Sequence, residues 1–145
     1  MGSIGFTDAY FSVPVAKEHR LVLKFVWKGN LFQCTYLPMG LCEAPRKFTK
    51  LGKVFLSHLR KWDHENAVYS DASWLQSDTF SHCLQNASDT FLLSDTAGFT
   101  INFNKSQLIP TQQIEFLGCI LDSCHMAVFL TLRKTHTIQE QCLTF

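Results

Sequence analysis

Two elements of different periodicity stand back to back near the middle of this chain, and together they argue against both an all-helical and an all-sheet fold. Phe48, Leu51, Phe55, Leu59 and Trp62 recur at steps of three or four behind Pro45, a residue tolerated in a first helical turn. This spacing predicts an amphipathic helix with a basic outer face. Directly after it, Asn66 to Leu75 reads as a tight β-hairpin with Ser70-Asp71 at its tip.

The flanks continue the alternation. LVLKFVW (21–27) and LFQCTYL (31–37) are rich in β-formers and are separated by Lys28-Gly29-Asn30, which predicts a first hairpin turned at the glycine. A second helix is expected from about Asp78, with Phe80, Leu84, Ala87 and Phe91 on one face and Gly98 as its C-terminal cap. From Thr100 to Thr131 short strand-like pieces (TINF, QLIP, IEFLGCIL, MAVFLT) alternate with polar breaks, and a short helix follows Arg133. The interleaved order predicts an α+β fold, an antiparallel sheet with helices packed on one face, in a single domain over 1–145. With 145 residues, 46% of them hydrophobic, the chain can fill one core.

Charge is distributed unevenly. Residues 17–61 hold ten lysines and arginines against Glu18 and Glu43, a local charge of +8, while three basic and ten acidic residues leave −7 elsewhere. A solvated basic face is the plain reading of such a run. The interleaved Trp27, Phe32, Tyr36 and Phe48 add a nucleic-acid reading, because bases stack on aromatics while cations take phosphates. No signal-peptide pattern opens the chain and no apolar run is long enough to span a membrane, so a soluble intracellular protein, cytoplasmic or nuclear and not secreted, is expected. Asn86-Ala87-Ser88 and Asn104-Lys105-Ser106 are then chance matches to the glycosylation sequon, and the six scattered cysteines read as buried free thiols. The six histidines show no ligand spacing.

Five stretches carry a family resemblance in order: TDAYFSVPVAKEHR (7–20), LPMGLCEAPRKFTK (37–50), VYSDA (68–72), AGFTINFNKSQL (97–108) and IEFLGCILD (114–122). They resemble the successive blocks of the palm of a retroelement reverse transcriptase, closest to the DIRS and gypsy types. The resemblance implies RNA-directed DNA polymerisation by in-line displacement at phosphorus, helped by two Mg2+ or Mn2+ ions held on carboxylates. It implies an RNA/DNA template-primer as partner and no membrane. It assigns Asp71 to catalysis and metal binding, and Lys105 to proton donation toward pyrophosphate. Asp8, Ala9 and Tyr10 (the steric gate under the sugar) would meet the nucleotide with the Pro38-Met39-Gly40 turn. Arg46, Lys47 and Lys50, with Phe116-Leu117-Gly118 as a primer grip in strands 100–131, would meet nucleic acid. From the residues alone, Tyr10 reads as a core tyrosine, Lys105 as a solvated loop lysine, and Phe116 and Leu117 as core strand residues.

Two positions depart from the family pattern. Counting back three from Asp8, the metal-bridging aspartate is replaced by Gly5, and the second acid of the hairpin is replaced by Ala72. Asp8, three residues along a strand, would point to the opposite face. Loss of catalysis is therefore expected, with a non-catalytic nucleic-acid-binding or protein-interaction module that keeps the palm fold as the alternative. Fingers, thumb and ribonuclease H regions do not fit in the chain, and marginal stability with self-association is expected from surfaces they would cover.

Overall fold

A computed structural model describes residues 1–143, so the last two residues of the expected 1–145 domain lie outside the described residues. The chain opens with strand β1 (Gly2–Gly5), passes through 3-10 turns at Ala9–Ser12 and Lys17–Val22, and forms the hairpin β2 (Lys24–Trp27) and β3 (Asn30–Gln33). Helix α1 (Ala44–Lys61) leads into the second hairpin, β4 (Glu65–Tyr69) and β5 (Ala72–Gln76), and then into α2 (Phe80–Thr96). A 3-10 turn at Phe103–Lys105 precedes β6 (Gln113–Phe116), β7 (Cys119–Asp122), β8 (Ala127–Leu130) and α3 (Leu132–Leu143). The fold is α+β, as expected, but the strands form three separate antiparallel groups: β1-β5-β4, β2-β3 and β6-β7-β8.

The central sheet owes its core to one face. Ile4 on β1 lies opposite Ser73 on β5, one step from Leu75, and these buried residues meet Phe48 of α1 and Ala87 of α2, so both helices cover the same side. Phe6, Phe48 and Phe99 form a chain of ring contacts, at centroid separations of 5.0 Å and 5.9 Å, that ties the end of β1 to α1 and to the segment after α2. Pro45 occupies the first turn of α1, and Gly98 ends α2 at φ +81°, its N–H donating to the Asp95 carbonyl.

Several expectations are corrected here. In α1 the buried positions are Ala44, Phe48, Leu56 and Leu59, while Leu51 and Trp62 point outward. In α2 the inward face is Cys83, Asn86, Ala87, Thr90 and Ser94; Phe80 and Leu84 are 60% and 42% exposed. The reason is a polar seam: Asn86 Nδ2 donates to the carbonyls of Glu65 and Gln76, at the open ends of β4 and β5, at 3.2 Å each, and Thr90 bonds both Asn66 and Asn86. Small hydrogen-bonding side chains fit that tight contact where large apolar ones would not. TINF is not a strand: Ile101 makes one bridge to Phe6 and the chain then turns, and QLIP contributes one bridge, Gln107 to Ser3. Cys83 alone of the six cysteines is buried; all are free, and Cys42, Cys124 and Cys142 are exposed. No described helix is long and apolar enough to cross a membrane.

β1, although it begins and ends in glycine, is buried along its whole length. Gly2 and Gly5 admit a close neighbour: a Cβ on Gly2 would sit 3.0 Å from the Gln107 carbonyl oxygen, and one on Gly5 would sit 3.2 Å from Lys105 Cβ. Segment 102–107 thereby lies alongside β1, with Ser3 and Gln107 exchanging N–H to carbonyl bonds at 2.8–2.9 Å.

Candidate functional site

The site assembles where the end of β1 meets the turn between β4 and β5. Gly5 and Ala72 are direct partners in the antiparallel register, and the Phe6 N–H donates to the Asp71 carbonyl at 2.8 Å. Side chains at directly opposed positions stand on one face with Cβ atoms about 4.5–5.5 Å apart. The two positions that lack aspartate are therefore one locus on the sheet. Asp71 projects beside it, exposed, from a two-residue turn whose first member, Ser70, has φ 52°. A positive φ at the first central residue alone is the mark of a type II′ turn.

Tyr10 reaches this turn from the other side. Its hydroxyl lies 2.9 Å from Ser70 Oγ in a hydrogen bond, and its ring meets Phe48 edge-on at 5.4 Å. The core reading and the site reading of Tyr10 thus describe one side chain, half-buried at its ring and held at its tip. Asp8 is exposed at φ 50°, a left-handed residue past the end of β1 rather than part of the strand, and Ala9 is buried beneath it. The Pro38-Met39-Gly40 turn lies at the surface, with Gly40 at φ +84°.

Lys105 is exposed at the end of the 3-10 turn beside Gly5. Two bonds hold this turn against β1, Gly5 N–H donating to Ser106 Oγ at 3.0 Å and Asn102 N–H to the Gly5 carbonyl at 2.8 Å, and within the turn Ser106 Oγ donates to the Asn102 carbonyl at 2.7 Å. Lys105 therefore stands beside the same locus as Asp71. Asn102 and Ser106 were missed at the level of sequence because both are ordinary loop residues; Asn102 capping the turn three residues before Lys105 was the signal available.

Phe116 is half-buried at the end of β6, and Leu117 and Gly118 form the β6–β7 turn, both with positive φ. Lys134 of α3 donates from Nζ to the Leu117 carbonyl at 3.2 Å, fixing that turn. At the far end of β7, Asp122 is buried and accepts four bonds: from Gln113 Nε2 (2.6 Å), from the backbone N–H of Cys124 (2.8 Å) and of His125 (3.0 Å), and at His125 Nδ1 (2.8 Å). The His125 backbone and ring bonds, then the Gln113 bond, hold its carboxyl far below the usual carboxylate range. An unfolded aspartate titrates near 3.9, so below about pH 4 the unfolded chain takes up a proton the folded chain does not. Stability contributed by Asp122 is therefore fully present above that pH and is lost as pH falls further. The melting temperature of the native protein should drop more steeply between about pH 4 and pH 2 than that of Asp122→Asn, in thermal melts followed by circular dichroism.

On the outer face of α1, Arg46 pairs with Glu43 at 3.4 Å, an exposed contact of small worth, while Lys47 and Lys50 are exposed with no acidic partner among the described residues.

A pair of divalent cations asks for several carboxylates from separate strands. Here the facing strand positions are glycine and alanine, Asp71 is the sole acid of the turn, and among the described residues no three His, Cys, Asp or Glu side chains gather as a metal would require. The residues present do not fit a two-metal site.

A family model described as reverse transcriptase (RNA-dependent DNA polymerase) matches residues 2–121. The chain belongs to that family. Among its relatives, a Gag-Pol polyprotein of avian reticuloendotheliosis virus is 28% identical over 120 residues, covering 77% of this chain and 10% of that protein. Another, of walleye dermal sarcoma virus, is 25% identical over 119 residues, covering 81% and 7%. The chain thus spans a tenth or less of these polyproteins. The foamy viral protease-reverse transcriptase in complex with an RNA/DNA hybrid superposes with a TM-score of 0.83 at 24% identity, over 95% of this chain and 18% of that one. The same protein with double-stranded DNA gives 0.81, over 95% and 28%. At that identity the likeness establishes the fold.

Proposed function

We propose that this chain is the palm of a DIRS- or gypsy-type retroelement reverse transcriptase that has lost two-metal nucleotidyl transfer and still engages template-primer through the basic region 17–61. The observation that carries the loss is the register of Gly5 against Ala72 beside a solitary Asp71. Mg2+ or Mn2+ would, when bound in this family, stabilise the attacking and leaving oxygens. If each missing carboxylate removes a few kcal/mol of that stabilisation, at about 1.4 kcal/mol per tenfold, two cost roughly 10³-fold or more in rate.

The rest of the locus keeps roles that need no metal. Tyr10, pinned by Ser70, would sit under the sugar of a nucleotide, with Asp8 and Ala9 offering backbone and the Pro38-Met39-Gly40 turn facing the templating pair. Lys105 would offer a proton or a cation beside Gly5. Arg46, Lys47 and Lys50 would take phosphates, and the Phe116-Leu117-Gly118 turn would present backbone to the primer. Support for the nucleic-acid reading comes from the foamy viral protein of the same fold, which is described with RNA/DNA and DNA duplexes.

Primer extension on an RNA template with Mg2+ or Mn2+ tests the loss. Incorporation by the native chain should equal that of Asp71→Asn; incorporation well above it overturns the reading. A second reading, a protein-interaction module, draws on the β2–β3 hairpin, whose residues are exposed on both faces, Phe25, Val26, Trp27, Leu31 and Phe32 among them. Under that reading duplex binding is absent even at low salt, whereas a phosphate-binding surface loses affinity steeply as salt rises.

A further inference from the structure

Between α1 and the β4 end of the central sheet lies a cavity of about 320 Å3 that none of the family-derived assignments uses. Its floor is Leu56, Val68 and Gly52, and its rim carries Lys53, Arg60 and the hydroxyl-bearing Thr49 and Ser70. Gly52 lets the helix lie close to β4, since a Cβ there would already stand 3.5 Å from Val68 Cγ1. Lys53 and Arg60 are seven residues apart, two helical turns or about 10.5 Å along the axis, so both project from one face of α1. Both are exposed, and among the described residues neither has an acidic partner within ion-pair distance. No carboxylate lines the cavity. Ser70 at its edge leads to the Asp71 turn and, through its bond to Tyr10, to the nucleotide side of the site.

We infer that this groove is a binding channel for the backbone of a single nucleic-acid strand, with Lys53 and Arg60 on two phosphates of that strand and the apolar floor against a sugar or base edge. Two unpaired cations over an apolar floor suit a phosphodiester with its attached nucleoside better than an isolated inorganic anion, which would leave the floor unused. The inference rests on the nucleic-acid reading above and adds to it a strand path that runs along α1 toward the Ser70-Asp71 turn.

Fluorescence anisotropy of a labelled oligo(dT), titrated against the native chain at several salt concentrations, tests it. Lys53→Ala/Arg60→Ala should weaken binding about tenfold at low salt and lower the salt slope by about 1.4, near 0.7 per phosphate on a single strand. Arg133→Ala, which removes a cation outside both the groove and the basic region 17–61, should change both far less. Gly52→Leu, which fills the floor without altering charge, should weaken binding while its thermal melt shows a folded protein. If the native chain binds and the groove double variant loses no more affinity than the Arg133→Ala control, the groove is overturned and the nucleic-acid reading stands. If the native chain binds no oligonucleotide even at low salt, both fall.

Discussion

Gly5→Asp/Ala72→Asp is expected to bind Mn2+ roughly 10³-fold more tightly than the native chain, by isothermal titration or by the loss of the free-ion Mn2+ resonance. The facing register of these two positions is the reason: two new carboxylates would stand about 5 Å apart on one face, next to Asp71, and a hard divalent cation gains a few kcal/mol from each such oxygen ligand. Neither single variant should suffice. The two differ in their packing cost, because a Cβ at position 5 comes within 3.2 Å of Lys105 Cβ and 3.5 Å of its carbonyl, so the Phe103–Lys105 turn must give by a few tenths of an ångström. Ala72 already carries a Cβ on a half-buried strand position. Gly5→Asp alone should therefore lower stability by about 1–3 kcal/mol, as overpacking does, with Ala72→Asp costing less. Native protein that holds two Mn2+ ions as tightly as the double variant would refute the account of the site.

Phe48→Ala should be the most damaging single truncation, costing about 3–5 kcal/mol in urea denaturation followed by circular dichroism. Phe48 is 2% exposed and contacts both Tyr10 and Phe99, so its ring joins α1, the turn after β1 and the segment after α2. Native domains are stable by only about 5–15 kcal/mol, so such a loss removes much of the total. Truncation also removes the edge-on ring partner of Tyr10, which then rests on its remaining neighbours near Val15, Leu37 and Ala44 and on its bond to Ser70. A cost below about 1 kcal/mol would show that the three elements do not share the core described.

The elements legible from sequence were those whose pattern is local. The β4–β5 hairpin showed itself through apolar approaches on either side of a two-residue turn, and α1 through Pro45 and its repeat of Phe48, Phe55 and Leu59. The face of α2 was misread because apolar periodicity is a poor guide where the buried contact is a hydrogen-bonded seam: Asn86, Thr90 and Ser94 are inside, and Phe80 is outside. Within the site, the absent acids at 5 and 72 were visible in the motif spacing. Their direct opposition was not, because pairing between strands so distant in sequence is written in the core on the other face, Ile4 against Ser73 and Leu75. The close approach of Lys105 to Gly5 was likewise hidden, since a glycine in a strand reads as a weak spot until its neighbour is known.

The hairpin of residues 24–33 has a consequence for how this molecule moves. It pairs with no other strand among the described residues and all its strand residues are exposed, and a two-stranded ribbon so placed is marginal by itself. Its backbone bonds open with little free energy while the β1-β5-β4 sheet stays closed, so its amides exchange with solvent long before those of Ile4 or Leu75. The Phe25–Phe32 stack and the Lys28 ammonium over Trp27 then hold together an arm that breathes independently of the core.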